Sequence, residues 1–172
     1  MIVAKVGGSL YDWPHLGVAL TAWLAAQAEP VLLFPGGGEA ADAVRAWDRV
    51  HALGEEAAHG LAIRSLSLGA HFLHQLLPNT PVVEASTPGI LDPHPYFRAR
   101  VGPPHTWSVT TDSLAAWVAR ECGASKLVLL KSADPPAGRD WAGSGYVDAY
   151  FPTAAAGVPV EAVNLRSLIR GG

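Results

Sequence analysis

The first ten residues constrain this chain more than any other stretch. Ile2-Val3-Ala4-Lys5-Val6 is a short β-branched run, Gly7-Gly8-Ser9 follows at once, and an apolar segment runs from about Pro14 to Ala28. The pattern predicts a strand, a glycine turn and a helix, with Pro14 in the first helical turn, where a missing N–H costs nothing. Glycines at such a turn let backbone N–H groups approach an anion closely, and the helix that follows adds its positive end. Lys5 is the anomaly, a charge inside an apolar strand just ahead of the glycines. Two readings stand at this point. The ammonium points at a phosphate held by the turn, or it snorkels to water from an edge strand beside an ordinary Gly-Gly-Ser turn. The turn is neither a P-loop nor a G-x-G-x-x-G fingerprint.

The same unit occurs again. After the break at Glu29-Pro30, the apolar run Val31-Leu32-Leu33-Phe34 reads as a buried parallel strand, Pro35-Gly36-Gly37-Gly38 ends it, and a helix is predicted from about Glu39 to His51. In that helix Ala40, Val44 and Trp47 share one face and Asp42, Arg45 and Arg49 the other. Two glycine turns after parallel strands lie on one edge of a sheet, where open α/β folds bind ligands. A further helix is expected from Gly54 to about Leu77, with a break near Gly69, an apolar stripe of Leu61, Leu68, Phe72 and Leu76 and an adjacent one of Ala62, Leu66 and Leu73, a surface wide enough to pack on more than one side. Val82-Val83 reads as a short strand. From Ser86 to Pro104 prolines and glycines interrupt every pattern, and the segment reads as an irregular loop near the site. A helix is predicted from Thr110-Thr111-Asp112-Ser113 to about Arg120, capped by Gly123, then a buried strand over Lys126–Lys131. Residues 146–151 are ambiguous between strand and turn, Val158–Val163 reads as a final strand, and Leu165–Ile169 as a short helix. The alternation implies an α/β fold, an open, mainly parallel sheet with helices on both faces, formed by a single domain over residues 1–172.

Composition narrows the partners. The chain has 172 residues, 49% of them hydrophobic, with a formal net charge of -3, which suits a packed domain and gives no basic stripe for nucleic acid. Cys122 is the only cysteine, so no disulfide framework forms within one chain. The absence of a basic and apolar leader or a bilayer-length apolar run makes a cytoplasmic protein without a membrane partner the expectation. His71 and His74 lie about a turn apart, but no third ligand accompanies them, and no metal site built from side chains is expected.

Four stretches, KVGGSL, PGGGEAADAVR, TTDSLAAWVA and LVLLKSAD, together resemble the amino-acid kinase family, in the family's order and across most of the chain. AAHGLAIRSL, GYVDAYFP and the closing VEAVNLRSLIRGG are similar to its small branch of aminomethylfuran phosphate kinases, which serve methanofuran biosynthesis. The resemblance implies an αβα sandwich and an ATP-dependent, Mg²⁺-assisted transfer of phosphate to a small anionic metabolite, a phosphate or carboxylate acceptor. It assigns catalytic work to Lys5, Asp112 and Lys131. It assigns nucleotide phosphates to Gly7, Gly8, Ser9, Ser132 and Asp134, and the acceptor to Gly36, Gly37, Gly38, His59 and Ser113. It also implies a homo-oligomer. Each assignment has a plainer rival: helix capping for Asp112, a solvated strand end for Lys131, a packed helix histidine for His59. The chain departs from the family after Lys131. Asp134-Pro135-Pro136 replaces the usual Asp-Gly, no Gly-Gly-Met-x-x-Lys follows, and the nucleotide-side half is short. A non-catalytic, kinase-like binding or regulatory subunit is therefore the alternative.

Overall fold

The first strand, β1 (Ile2–Val6), is buried along its whole length because it lies in the middle of the sheet. The computed structural model describes residues 1–138 and 140–169, so the last three residues of the closing motif lie outside the described residues. The other strands are β2 (Val31–Pro35), β3 (Val82–Val83), β4 (Gly89–Leu91), β5 (Lys126–Lys131) and β6 (Val160–Asn164). They form one parallel sheet in the order β3-β4-β2-β1-β5-β6. Strands added after β1 extend the sheet first toward β2 and later toward β5. The ends of β1, β2 and β5 thus flank the point where the winding reverses, the usual ligand crevice of such sheets.

Alternation along the strands sends side chains to two cores. Ile2, Ala4 and Val6 join Leu33, Val128 and Leu130 on one face, under α1 (Leu16–Ala25). Val3 joins Leu32, Phe34, Leu127 and Leu129 on the other, under α5 (Thr111–Glu121). Lys5 and Lys131 share the parity of Val3 and Leu129, and Lys5 pairs with Leu129 in the ladder. Both ammonium groups therefore emerge on the α5 face, one pleat period apart. Small residues of α5 (Ala115, Ala116 and Ala119, all fully buried) bring that helix close to the sheet.

The helix after β2, α2 (Gly38–His51), follows the second glycine turn directly, and α3 (Glu55–Leu76) is one unbroken helix. The expected break at Gly69 is absent. Gly69 instead lets α3 pass close above the strand ends, where an added Cβ would stand 3.3 Å from the Gly36 carbonyl oxygen. Ile63 and Leu66 pack in one core and Ala70 and Leu73 in the other, so α3 crosses over the sheet edge and roofs the glycine turns. The expected packing on more than one side is thus present, with Leu66 and Leu73 buried, but the other stripe is corrected: Leu61 and Leu68 are exposed, as is Trp47 on α2. Helix α1 starts at Leu16, not at Pro14, because a turn at Trp13 delays it (the Leu16 N–H donates to the Trp13 carbonyl, 3.0 Å). Residues 86–104 are only partly irregular. They hold the buried β4 and a short helix, α4 (Pro93–Arg98), capped by Asp92 and anchored by the buried Tyr96. Residues 146–150 form turns leading into α6 (Phe151–Ala154).

Candidate active site

The two glycine turns interlock. A Cβ added to Gly8 would stand 2.2 Å from the Gly38 nitrogen, and one added to Gly36 would stand 2.4 Å from the Gly8 nitrogen. Only glycines allow this contact, and Gly38 also takes a positive φ of 53°. The Gly7 amide donates to the Leu130 carbonyl (2.8 Å) and binds the turn to β5, so the amides left to meet an anion there are those of Gly8 and Ser9. Ser9 Oγ lies 2.8 Å from Ser132 Oγ, joining the first turn to the end of β5. Gly37 and Gly38 line a cavity of about 350 Å³, whereas Gly36 is buried beneath them, its carbonyl accepting from Tyr11 Oη (3.1 Å).

Asp112 sits where the cavity meets the sheet. Its carboxylate lies 2.8 Å from Lys5 Nζ through Oδ1 and 2.8 Å from Lys131 Nζ through Oδ2, with the three side chains largely buried. The two contacts differ. Lys131 donates a hydrogen bond to Oδ2, and Lys5 holds Oδ1 as an ion pair. Burial by itself would raise the Asp112 carboxyl. The Lys5 and Lys131 charges together outweigh burial and hold it below its ordinary range. Burial pulls the Lys131 ammonium down, against the attraction of Asp112. Two ammonium groups share one carboxylate, leaving one net positive charge at the floor of the cavity. Lys131 also donates to the Tyr146 carbonyl and lies 4.6 Å from the centre of the Tyr146 ring.

The far wall is made by α2, α3 and residues 106–111. His59 lines the cavity and stacks on His105 (3.9 Å between ring centres, 11° between planes), and His105 Nδ1 lies 2.6 Å from Glu56 Oε2. Burial, with the neighbouring His105 adding to it, lowers the His59 pKa to about 4. His59 is therefore neutral near pH 7. The cation on this wall is Arg45, whose guanidinium lies 4.7 Å from the centre of the Trp107 ring. The Trp107 indole N–H donates to Asp48 Oδ2 (2.7 Å).

The structure thus brings together Lys5, Gly7, Gly8, Ser9, Gly37, Gly38, His59, Asp112, Lys131 and Ser132. It sets three expected residues apart, the first of them Gly36, which is buried beneath the turn and does not line the cavity. Ser113 is fully buried and its hydroxyl donates to Asp148, away from the cavity wall. Asp134 is exposed beyond the end of β5. Arg45, Trp107 and Asp148 went unassigned in the sequence. Arg45 alone carried a usable signal, since Gly38, Asp42 and Arg45 fall on one helical face running away from the second glycine turn.

No family model matches the chain. Over 144 residues it is 26% identical to the (5-(aminomethyl)furan-3-yl)methyl phosphate kinase of Methanocaldococcus jannaschii, a match covering 78% of this chain and 67% of that protein. Its fold matches uridylate kinase from Archaeoglobus fulgidus with a TM-score of 0.62 at 17% identity, over 99% of this chain and 95% of that one. The chain has the amino-acid kinase fold. The resemblance drawn from the four motifs therefore recurs in overall sequence and in architecture. Within this amino-acid kinase fold the motifs KVGGSL and PGGGEAADAVR supply the interlocked turns, and TTDSLAAWVA and LVLLKSAD supply Asp112 and Lys131. Among the described residues no helix is long and apolar enough to cross a membrane.

Proposed function

We propose that this chain is an ATP-dependent phosphotransferase whose acceptor is a small metabolite already bearing a phosphate or carboxylate. The observation that supports it is the Lys5–Asp112–Lys131 bridge at the floor of a cavity bounded by two interlocked glycine turns. Transfer of a phosphoryl group is mostly positioning and charge neutralisation. The bond between the γ-phosphorus and the ADP oxygen breaks, and a bond from phosphorus to the acceptor oxygen forms. Lys5 and the Gly8 and Ser9 amides meet the phosphoryl group in transit. Lys131 meets the nucleotide phosphates. Asp112 holds both lysines in place and, with its pKa lowered, stays ionised and takes no proton. An anionic acceptor suits this arrangement because its oxygen needs no base.

The acceptor occupies the cavity, with its reacting oxygen toward Lys5 and its body against Ile63, Leu66 and Trp107. The aminomethylfuran phosphate acted on by the relative, used in methanofuran-type cofactor synthesis, is the first acceptor to try. Among the described residues no cluster of three or more carboxylates, histidines or cysteines could hold a metal ion, and the Asp112 carboxylate is taken by two lysines. Mg²⁺ therefore fits this site only as a companion of the nucleotide phosphates, whose charge it would help neutralise.

The test is incubation with Mg-ATP and a panel of phosphorylated and carboxylated acceptors, with ADP and the new phosphoanhydride followed by ³¹P NMR. Turnover by the native chain and its loss in Lys5→Ala are expected. Unchanged turnover in Lys5→Ala defeats the mechanism. Failure of ATP to bind in calorimetry, with or without Mg²⁺, defeats the reading as a kinase and leaves a binding subunit.

A further inference from the structure

Residues 146–150, ahead of α6, grip the site from behind. Asp148 Oδ2 accepts from the Thr110 amide (3.2 Å), the Thr110 hydroxyl (2.6 Å) and the Ser113 amide (3.2 Å). Asp148 Oδ1 accepts from the Ser113 hydroxyl and from the Tyr150 amide (3.1 Å). Four of these five donors, from Thr110 and Ser113, bracket Asp112 at the start of α5, and the fifth, the Tyr150 amide, belongs to the segment that carries Asp148. A carboxylate at a helix N-terminus is also favoured by the helix dipole. Two residues earlier, the Tyr146 carbonyl and ring hold Lys131. One short segment thus fixes both ends of the Asp112–Lys131 contact, although neither Asp148 nor the Tyr146 ring lines the cavity.

We propose that Asp148 is the positioning residue of this site: it holds the first turn of α5 through Thr110 and Ser113 and so keeps the Asp112 carboxylate between Lys5 and Lys131. The inference deepens the phosphotransfer reading and rests on it for its kinetic consequences, but its geometric content stands without it. Asp148 bonds the backbone that carries Asp112 and touches no reacting group. Its loss therefore misplaces the lysines without removing a substrate contact. Misplacements of an ångström at a reacting centre cost on the order of 100-fold in rate. The charged and titratable groups facing Lys131 are Asp112 from α5, Lys5 from β1, and Asp148 with Tyr146 from the segment before α6. Removing the Asp148 charge takes one attraction from the Lys131 ammonium and makes it easier to deprotonate.

The experiment compares the full chain with Asp148→Asn, Asp148→Ala and Ser113→Ala. Trace acetylation of Lys5 and Lys131 is measured against pH by mass spectrometry, with the exposed-side Lys126 as internal reference, below each variant's unfolding temperature. In Asp148→Asn and Asp148→Ala the Lys131 labelling curve moves to lower pH, and its rate relative to Lys126 rises several-fold. In Ser113→Ala, which keeps the charge, the pH midpoint stays while the rate rises. With an acceptor in hand, kcat falls on the order of 10–100-fold in the order native, Asn, Ala, with KM for both substrates within about twofold. Unchanged lysine labelling in all three variants overturns the proposal, as does a fall in thermal stability with kcat and the Lys131 labelling midpoint unmoved. If the native chain transfers no phosphate, a shifted Lys131 curve still upholds the positioning role while the kinase reading fails. If Asp148→Ala does not fold, the Asn and Ser113→Ala pair decides.

Discussion

Gly8 lies against the backbone of Gly38 so tightly that a methyl group at Gly8 would stand 2.2 Å from the Gly38 nitrogen and 2.6 Å from its Cα. Both neighbours are backbone atoms, so neither yields by rotating a side chain. The contact ties β1 to the start of α2 and sets the two anion-type turns side by side. Gly8→Ala and Gly36→Ala are expected to lower stability by about 1–3 kcal/mol or more, the usual cost of overpacking. Gly60, inside α3 with nothing within 4 Å of its missing Cβ, is the control. Gly60→Ala should raise stability by about 0.5–1 kcal/mol through helix propensity alone. Urea unfolding of the three variants checks both signs. A Gly8→Ala chain as stable as the native one would show that the turns are not interlocked.

Asp112 balances two buried cations, so its removal acts on stability as well as on turnover. Asp112→Asn leaves Lys5 and Lys131 without a countercharge, and losses of about 3–5 kcal/mol are typical when one partner of a buried pair is removed. The pH dependence has a definite sign. The folded pKa of Asp112 lies below its ordinary value of 3.8, so this stabilisation is complete above 3.8 and is lost as pH falls through the folded value. Acid unfolding of the native chain and of Asp112→Asn, followed by circular dichroism, should therefore converge at the lowest pH. A constant gap between the two curves contradicts the ion-pair account.

His59 gives a dependence of the same sign in a higher pH window. Its folded pKa, lowered by burial to about 4 from 6.5, means that the unfolded chain binds a proton more readily than the folded one across that window. The His59 contribution therefore makes the fold less stable as pH falls from about 6.5 to about 4. Replacement by glutamine removes that dependence. The difference in melting temperature, native minus His59→Gln, should shrink steadily between pH 7 and pH 4. A difference that grows on acidification would mean that His59 is charged in the folded chain and meets an anion.

Much of this was legible in the sequence, and the reasons are local. Lys5 and Lys131 advertised themselves as charges in apolar strands, but it takes the observed register, Lys5 opposite Leu129, to put them on one face. The glycine runs marked close backbone contacts that no other residue permits. The failures were also physical. Pro88, Gly89, Pro93 and Pro95 masked β4 and α4, because proline at a helix start and glycine at a strand start read the same as loop punctuation. The stripe through Leu61 and Leu68 failed because α3 crosses from one core to the other, so no single face stays buried along its length. Asp148 was invisible because its partners, Thr110 and Ser113, are distant in sequence and meet it only in the fold.

Arg45 makes a prediction that separates recognition from chemistry. It lines the cavity on the wall facing the Lys5 floor, while His59 beside it is neutral at the pH of assay. The guanidinium is therefore the group on that wall able to meet a charged or polar feature at the far end of the acceptor, in hydrogen bonds stronger than neutral ones. Its pair with Asp42 (2.8 Å) is exposed and contributes little to folding. Arg45→Ala should accordingly leave the melting temperature nearly unchanged and raise the acceptor KM by on the order of tenfold, with kcat within about twofold. The KM for ATP should not move, because Arg45 belongs to the wall assigned to the acceptor. Arg45→Lys should recover only part of the loss, since an ammonium lacks the planar fork and the stacking on Trp107. Steady-state kinetics with each substrate varied in turn checks all four outcomes. A fall in kcat with an unchanged acceptor KM would place Arg45 at the moving phosphoryl group and not at the far wall.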